Sequence, residues 1–202
     1  MNKEIIAGVD EAGRGALAGP VVAGAVILTP TQNISVEDMQ AFLHLLDDSK
    51  KLTSKQRSEL FIIITKYFDY GVGIVSAAEI DAIGIKKSTE KAMNQAVLSL
   101  KTSPKKLLID GCDTFKFTIE SEDIIKGDEK IPAIAAASII AKVTRDKLML
   151  RYDEQFPVFG FGSHKGYGSK KHLDLLDQGV YSSLHRKSYD PLKTWLNQGR
   201  LF

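Results

Sequence analysis

The first apolar run of the chain, Ile5-Ile6-Ala7-Gly8-Val9, stops at two adjacent carboxylates, Asp10 and Glu11. A glycine-rich turn carrying one cation, Ala12-Gly13-Arg14-Gly15, follows directly. The run reads as a buried strand, and carboxylates at the tip of a buried strand are costly unless something positive meets them. A hard divalent cation, which takes oxygen ligands, fills that need. Gly13 and Gly15 let backbone groups approach a ligand closely. Arg14 adds a positive charge suited to phosphate. Together these six residues suggest phosphodiester chemistry. A solvated loop after a strand is the competing reading of the hexapeptide alone, because short motifs match by chance.

Two hundred and two residues suffice for one domain with a sizeable core. A net charge of +2 argues against a highly basic coat protein and leaves room for a nucleic-acid enzyme whose acidic ligands offset a basic surface. Cys112 is the single cysteine, so no intramolecular disulfide forms and a reducing compartment fits. No basic leader with an apolar stretch and no run of ~18 apolar residues is present. The expectation is a cytoplasmic protein with no membrane association.

Ile5–Val9 and Val21–Leu28 read as strands. Thr53 and Gln56 form a capping-box pattern that opens a helix running to about Tyr67. Gly71–Ser76 reads as a strand, and Ile85, Thr89, Ala92, Met93, Ala96 and Leu100 recur at helical spacing. Lys106–Ile109 is a short apolar strand ending in Asp110-Gly111, and Phe115–Ile119 reads as another. Pro132 opens a long helix rich in Ala, Ser and Ile. Pro157–Ser169 reads as a glycine-rich loop before a shorter helix near Lys170–Gln178. The pattern predicts an α/β fold around a mixed sheet, with residues 1–202 as one domain and a helical C-terminal part over 157–202.

Asp10 and Asp110 share a context, each following an apolar strand beside a glycine turn. Functional residues of α/β sheets gather at the carboxyl ends of strands. If those strands are parallel neighbours, the two aspartates lie side by side. Glu11 and Asp128, in Lys126-Gly127-Asp128, supply two more carboxylates. Such a set suits Mg²⁺ or Mn²⁺ rather than zinc. Two ions ~3.5–4 Å apart activate a water and stabilise the leaving oxygen of a phosphodiester.

At this point the chain resembles the ribonuclease HII family, the type 2 ribonucleases H. The resemblance rests on blocks that occur in order along nearly the whole chain. They are Asp10–Gly15, Asp48-Ser49-Lys50-Lys51-Leu52, Ala78-Glu79-Ile80-Asp81, Ile109-Asp110-Gly111 and Lys126-Gly127-Asp128, followed by Ala136–Asp146, Lys165-Gly166-Tyr167-Gly168 and His185-Arg186-Lys187-Ser188. The resemblance implies a ribonuclease H-like fold, a five-stranded mixed sheet with flanking helices and a helical C-terminal extension. It implies an endoribonuclease that cuts the RNA strand of RNA–DNA hybrids, and 5′ of single ribonucleotides in duplex DNA, leaving 5′-phosphate and 3′-hydroxyl ends. Asp10, Glu11, Asp110 and Asp128 match the four acidic metal ligands. Gly13, Arg14 and Gly15 match the turn that reads the ribose 2′-hydroxyl, and Tyr167 matches the tyrosine that packs on the neighbouring deoxyribose. Cys112, Ser169 and Tyr189 depart from the family's usual residues.

Lys50, Ser138 and Lys142 are further candidates for substrate contact. Ser138 and Lys142 stand one helical turn apart, and each has an alternative as an ordinary packed or surface residue. Asp146 reads as an ion-pair partner rather than a ligand. His44, His164, His172 and His185 show no metal-ligand spacing and read as non-catalytic, with His164 able to contact the backbone of the Tyr167 loop. Cys112 reads as a small space-filling residue, and Tyr189 and Trp195 as anchors of the C-terminal segment. The expected partners are RNA–DNA hybrid and ribonucleotide-containing DNA, bound by a monomer. A DNA exonuclease on the same fold and a hybrid-binding module with a vestigial site are the rivals. The turn that would read a 2′-hydroxyl argues against the first, and the complete set of four carboxylates against the second.

Overall fold

The computed structural model describes residues 4–47 and 52–199. Five strands form one sheet in the order β3-β2-β1-β4-β5. β1 (Ile6–Ala12) and β2 (Val21–Pro30) pair antiparallel, as do β2 and β3 (Phe68–Val75). β1 and β4 (Lys106–Asp110) run parallel, as do β4 and β5 (Glu120–Ile124). The sheet is therefore mixed, as the sequence predicts.

Residues 21–27 of β2 are buried without a break, which fits a central strand covered on both faces. One face carries a core of Ala7, Val9, Val21, Ala23, Leu107 and Ile109 against Ala92, Met93 and Ala96 of α4 (Ile85–Leu98). The other meets α1 (Val36–Asp47), α2 (Ser54–Tyr67) and the long α5 (Pro132–Gln155) through Val26, Phe42, Leu60, Ile64 and the alanines 135–137. The capping box at Thr53 and Gln56 forms as the sequence predicts, and Pro132 sits in the first turn of α5.

Small residues set how closely α5 lies on the sheet. A Cβ at Gly8 would fall 2.2 Å from the Ala133 carbonyl carbon, and one at Gly24 would fall 2.4 Å from the Ala137 oxygen. Gly24 is the register partner of Asp10. The α5 backbone is thus held against the segment of β1 that carries the carboxylates, and Ser138 and Lys142 of α5 line the same cleft as Asp10 and Glu11.

Four parts differ from the sequence reading. The strand expected over Phe115–Ile119 lies instead at Glu120–Ile124, while Phe115 turns into the core. β5 is a polar edge strand, so it carries no apolar pattern to mark it. β3 begins at Phe68, directly where α2 ends. The expected loop over Pro157–Ser169 contains the short helix α6 (Phe161–His164). Helices α1, α3 (Ala77–Ile83) and α8 (Leu192–Asn197) add to the predicted set, while α7 (Lys170–Asp177) matches it.

Candidate active site

β1 and β4 are parallel neighbours, and their register pairs Val9 with Ile109. Asp10 and Asp110, one residue further along each strand, therefore stand level, which satisfies the condition set by the sequence. Asp128 lies on a 3₁₀ turn (Gly127–Glu129) just after β5. The Gly127 N–H donates to Asp110 Oδ1 at 2.7 Å, tying that turn to the tip of β4.

Asp10 is only 7% exposed. Burial raises its pKa well above the ordinary carboxylate range, and the charges of Glu11, Asp110 and, more weakly, Asp128 push the same way. The hydrogen bond from the Glu11 N–H, at 2.7 Å, opposes them. Burial also raises Glu11, against the pull of Arg14. Arg14 Nη1 lies 3.2 Å from Glu11 Oε1 and 2.5 Å from Asp113 Oδ2. Among the described residues, no three Asp, Glu, His or Cys side chains already form a closed cage for an ion. What fits a hard divalent cation is the chemistry of the donors. They are oxygen only, and their charges destabilise a carboxylate that is almost wholly removed from water.

An open cleft of about 390 Å³ runs past these acids. Asp10, Glu11 and Asp128 line one side, and Gly13, Arg14 and Gly15 continue from the end of β1. Ser138, Lys142 and Tyr167 face the same space. Lys142 Nζ pairs with Asp146 at 2.9 Å, and the Ser138 hydroxyl donates to the Ala135 carbonyl at 3.0 Å. Asp146 is thus an ion-pair partner, as the sequence predicts. Asp110 is not among the residues lining this cleft and acts on Asp10 through its charge. Lys50 lies outside the described residues. Cys112, expected to fill space, is exposed instead.

Sequence reasoning missed what holds the turn. Arg145 and Arg186 are both fully buried. Arg145 donates to the carbonyls of Pro20, Lys165 and Ala18 at 2.9–3.1 Å. Its guanidinium also lies 5.4 Å from the centre of the Tyr167 ring. Arg186 donates to the carbonyls of Gly13, Arg14 and Gly19 at 2.7–3.0 Å. The Tyr189 hydroxyl donates to the Arg14 carbonyl at 2.7 Å, which gives Tyr189 the anchoring role predicted for it. The Gly166 carbonyl accepts from Leu17 and Ala18 N–H, and the Leu17 carbonyl accepts from Arg186 N–H. Three distant segments, 13–19, 164–169 and 184–189, are thus joined through backbone carbonyls. The sequence showed Arg145 and Arg186 inside two of the matching blocks, with no signal that either was buried.

The family model described as ribonuclease HII matches residues 7–191 of this chain. A ribonuclease HII of Coxiella burnetii is 45% identical over 190 residues, covering 94% of this chain and 90% of that protein. The ribonuclease H2 structure from Pyrococcus horikoshii superposes with a TM-score of 0.78 at 28% identity, over 96% of this chain and 98% of that one. A structure of Bst-RNase HIII in complex with Mn²⁺ shares the fold, with a TM-score of 0.68 at 15% identity, over 98% of this chain and 70% of that one.

Proposed function

Since the chain belongs to the ribonuclease HII family and is thereby a ribonuclease H-type endonuclease acting on RNA–DNA hybrids, we propose that it cuts the RNA strand at the cleft beside Asp10. We assign the 5′ side of single ribonucleotides embedded in duplex DNA to the same site. The observation that carries this reading is one cleft lined both by carboxylates at the strand tips and by the Gly13-Arg14-Gly15 turn and Tyr167.

Asp10, Glu11, Asp110 and Asp128 would hold Mg²⁺ or Mn²⁺, two ions during catalysis. The Mn²⁺ in the Bst-RNase HIII structure, on a shared fold, is consistent with that choice. When bound, such ions activate water for attack and stabilise the departing 3′-oxygen. The carboxylates form no covalent bond to the substrate. Arg14, half-buried at the rim, offers its guanidinium to a phosphate in exchange for Glu11 and Asp113. Lys142 stands ready to make the same exchange with Asp146.

The accounting of lone pairs narrows how the turn reads a sugar. The Arg14 carbonyl already accepts from Arg186 and Tyr189, and the Gly13 carbonyl from Arg186 and Ala16 N–H. A carbonyl oxygen has two lone pairs, so both are full. The turn therefore meets a 2′-hydroxyl with N–H donors rather than with these two carbonyls. Tyr167, 40% exposed, lays its ring on the next sugar, where a deoxyribose leaves room and a ribose crowds it.

A cleavage assay tests the reading. Hybrid, duplex DNA, duplex RNA and DNA with one embedded ribonucleotide are each incubated with and without Mg²⁺ or Mn²⁺. Metal-dependent cutting of the hybrid and 5′ of the lone ribonucleotide is expected, with neither uniform duplex cut. Tyr167→Ala should lower junction cleavage more than cleavage within a long hybrid. No cut at the lone ribonucleotide by the unaltered protein refutes the junction assignment.

A further inference from the structure

Tyr167 rests on a chain of histidines that the cleavage chemistry does not use. His172 of α7 and His185 of the C-terminal segment are both fully buried, and their Nε2 atoms are 2.9 Å apart. Two neutral imidazoles at that distance share one proton between those nitrogens, so one donates and the other accepts. The ends of the chain decide which. The Ser182 N–H donates to His185 Nδ1 at 3.0 Å, so that nitrogen is an acceptor and His185 carries its proton on Nε2. His185 Nε2–H then donates to His172 Nε2. His172 is left with its proton on Nδ1, which donates to the Tyr167 carbonyl at 2.8 Å. A backbone amide at one end and a backbone carbonyl at the other cannot reverse their roles, so the polarity of the whole chain is fixed. Burial supports the neutral forms, lowering His172 and taking His185 to about 4. The His164 ring stacks on His172 at 4.6 Å, donates to the Phe159 carbonyl and accepts from Gly166 N–H.

The bonds around Tyr167 divide the labour. Gly166, one residue before it, is pinned to Leu17 and Ala18, which fixes where the loop sits beside the Gly13–Gly15 turn. The peptide after Tyr167 has its carbonyl held by His172 and by Ser169 N–H. That carbonyl sets how the Tyr167 backbone is rotated, and so where its ring points. We propose that His172 and His185 are positioning residues for the sugar-reading tyrosine: the tautomer imposed on His185 by Ser182 is relayed to His172 and fixes the orientation of the Tyr167 ring over the cleft. This rests on the role given to Tyr167 above. Apolar rings in their place would fill the volume beside Phe159 and Phe161 and leave the carbonyl unguided.

The test compares catalytic efficiency on a single embedded ribonucleotide with that on a long hybrid. His172→Phe keeps ring volume and removes the donor. It should lower the junction-to-hybrid ratio about tenfold, as expected when one orienting hydrogen bond is lost. His172→Asn, whose amide N–H₂ can reach the Tyr167 carbonyl, should restore most of the ratio. His185→Phe should lower the ratio in the same direction, because it frees the His172 tautomer. Nitrogen-15 spectra of the unaltered protein should show His172 protonated on Nδ1 and His185 on Nε2. The inference is overturned if those spectra show the opposite tautomers, or if a folded His172→Phe protein keeps the full ratio or loses both activities equally. Tyr167→Ala on the same two substrates separates the causes. If it shifts the ratio and His172→Phe does not, the relay fails and the tyrosine's role stands. If Tyr167→Ala leaves the ratio unchanged, the role of the tyrosine fails, and the relay with it.

Discussion

Gly13 and Gly15 flank the same arginine, yet the structure assigns them opposite sensitivities to a single methyl group. Gly13 has φ +95°, where a side chain costs about 1–2 kcal/mol. A Cβ there would also fall 2.0 Å from Arg145 Nε and 2.5 Å from its Cδ. Arg145 has nowhere cheap to go, because its nitrogens hold the Pro20, Lys165 and Ala18 carbonyls. Displacing it forfeits one or more bonds from a charged donor, each worth about 1.5–3 kcal/mol. Gly13→Ala should therefore destabilise the fold by about 3–5 kcal/mol, a fall in Tm on the order of 10 °C for a chain of this length. Gly15 is not among the positive-φ glycines, and an added Cβ meets nothing within 4 Å. Gly15→Ala should leave stability within about 0.5 kcal/mol. Its methyl group nevertheless protrudes into the cleft where a sugar must approach the backbone. A displacement of that size should lower kcat/KM on hybrid by about tenfold or more. Thermal melts and single-turnover cleavage of both variants measure the two effects separately. A Gly13→Ala protein that melts with the unaltered protein, or a Gly15→Ala enzyme with unchanged kcat/KM, refutes the reasoning.

Asp10→Asn or Asp110→Asn should abolish cleavage in Mg²⁺ and Mn²⁺ while raising Tm in the absence of metal, because each removes a charge that its neighbours repel. Melts with and without Mg²⁺ should show metal stabilising the unaltered protein and not these variants. Arg14→Ala should weaken hybrid binding and reduce the slope of log K against log salt by about 0.9, the share of one phosphate contact. Binding isotherms at several salt concentrations measure it. His185 is held at about 4 against an ordinary 6.5. Between those values the unfolded chain binds a proton that the folded chain refuses, so stability should fall as pH drops from about 6.5 to 4, by on the order of 3 kcal/mol. The raised Asp10 works in the opposite direction, so urea titrations should compare the unaltered protein with His185→Phe, whose loss across that window should be smaller.

How much of this was legible depends on whether the information was local. The carboxylates at Asp10 and Asp110 could be found because each follows an apolar run of its strand, which burial writes before them. The capping box at Thr53 is local too, and so is the proline that opens α5. Helix α1 also carried a signal, since Met39, Phe42, Leu43 and Leu46 recur at helical spacing. So did α3, where Ser76 and Glu79 form a capping box. β5 could not be read in this way. Glu120–Ile124 is an exposed edge strand whose acids meet Lys106 of β4, and its place depends on β4 rather than on its own pattern. The buried arginines are the extreme case. Arg145 reaches a carbonyl 125 residues away and Arg186 one 172 residues away. No spacing rule distinguishes such residues from surface cations.

The same contrast bears on how the proposed site would keep chemistry and sugar recognition in register. Asp10, Glu11 and Asp110 stand on a sheet fixed by ladder hydrogen bonds and by the close seat of α5, and the Asp128 turn is tied to it through Asp110. The Gly13–Gly15 turn has no ladder beyond Ala12, and a glycine-rich turn left alone would sample many conformations. Only Ala12 separates Glu11 from Gly13, so the turn's position is inherited from β1 while its conformation must come from elsewhere. Arg186 and Tyr189 supply that conformation by filling the Gly13 and Arg14 carbonyls, and Arg145 packs beneath Gly13 while holding the start of the Tyr167 loop. A buried guanidinium is costly unless its N–H groups are satisfied, and here backbone carbonyls satisfy them, not acids. Carboxylate partners would have added negative charge beside the turn we propose to meet phosphate. Carbonyls fix the geometry and, among the described residues, leave neither guanidinium hydrogen-bonded to an acid.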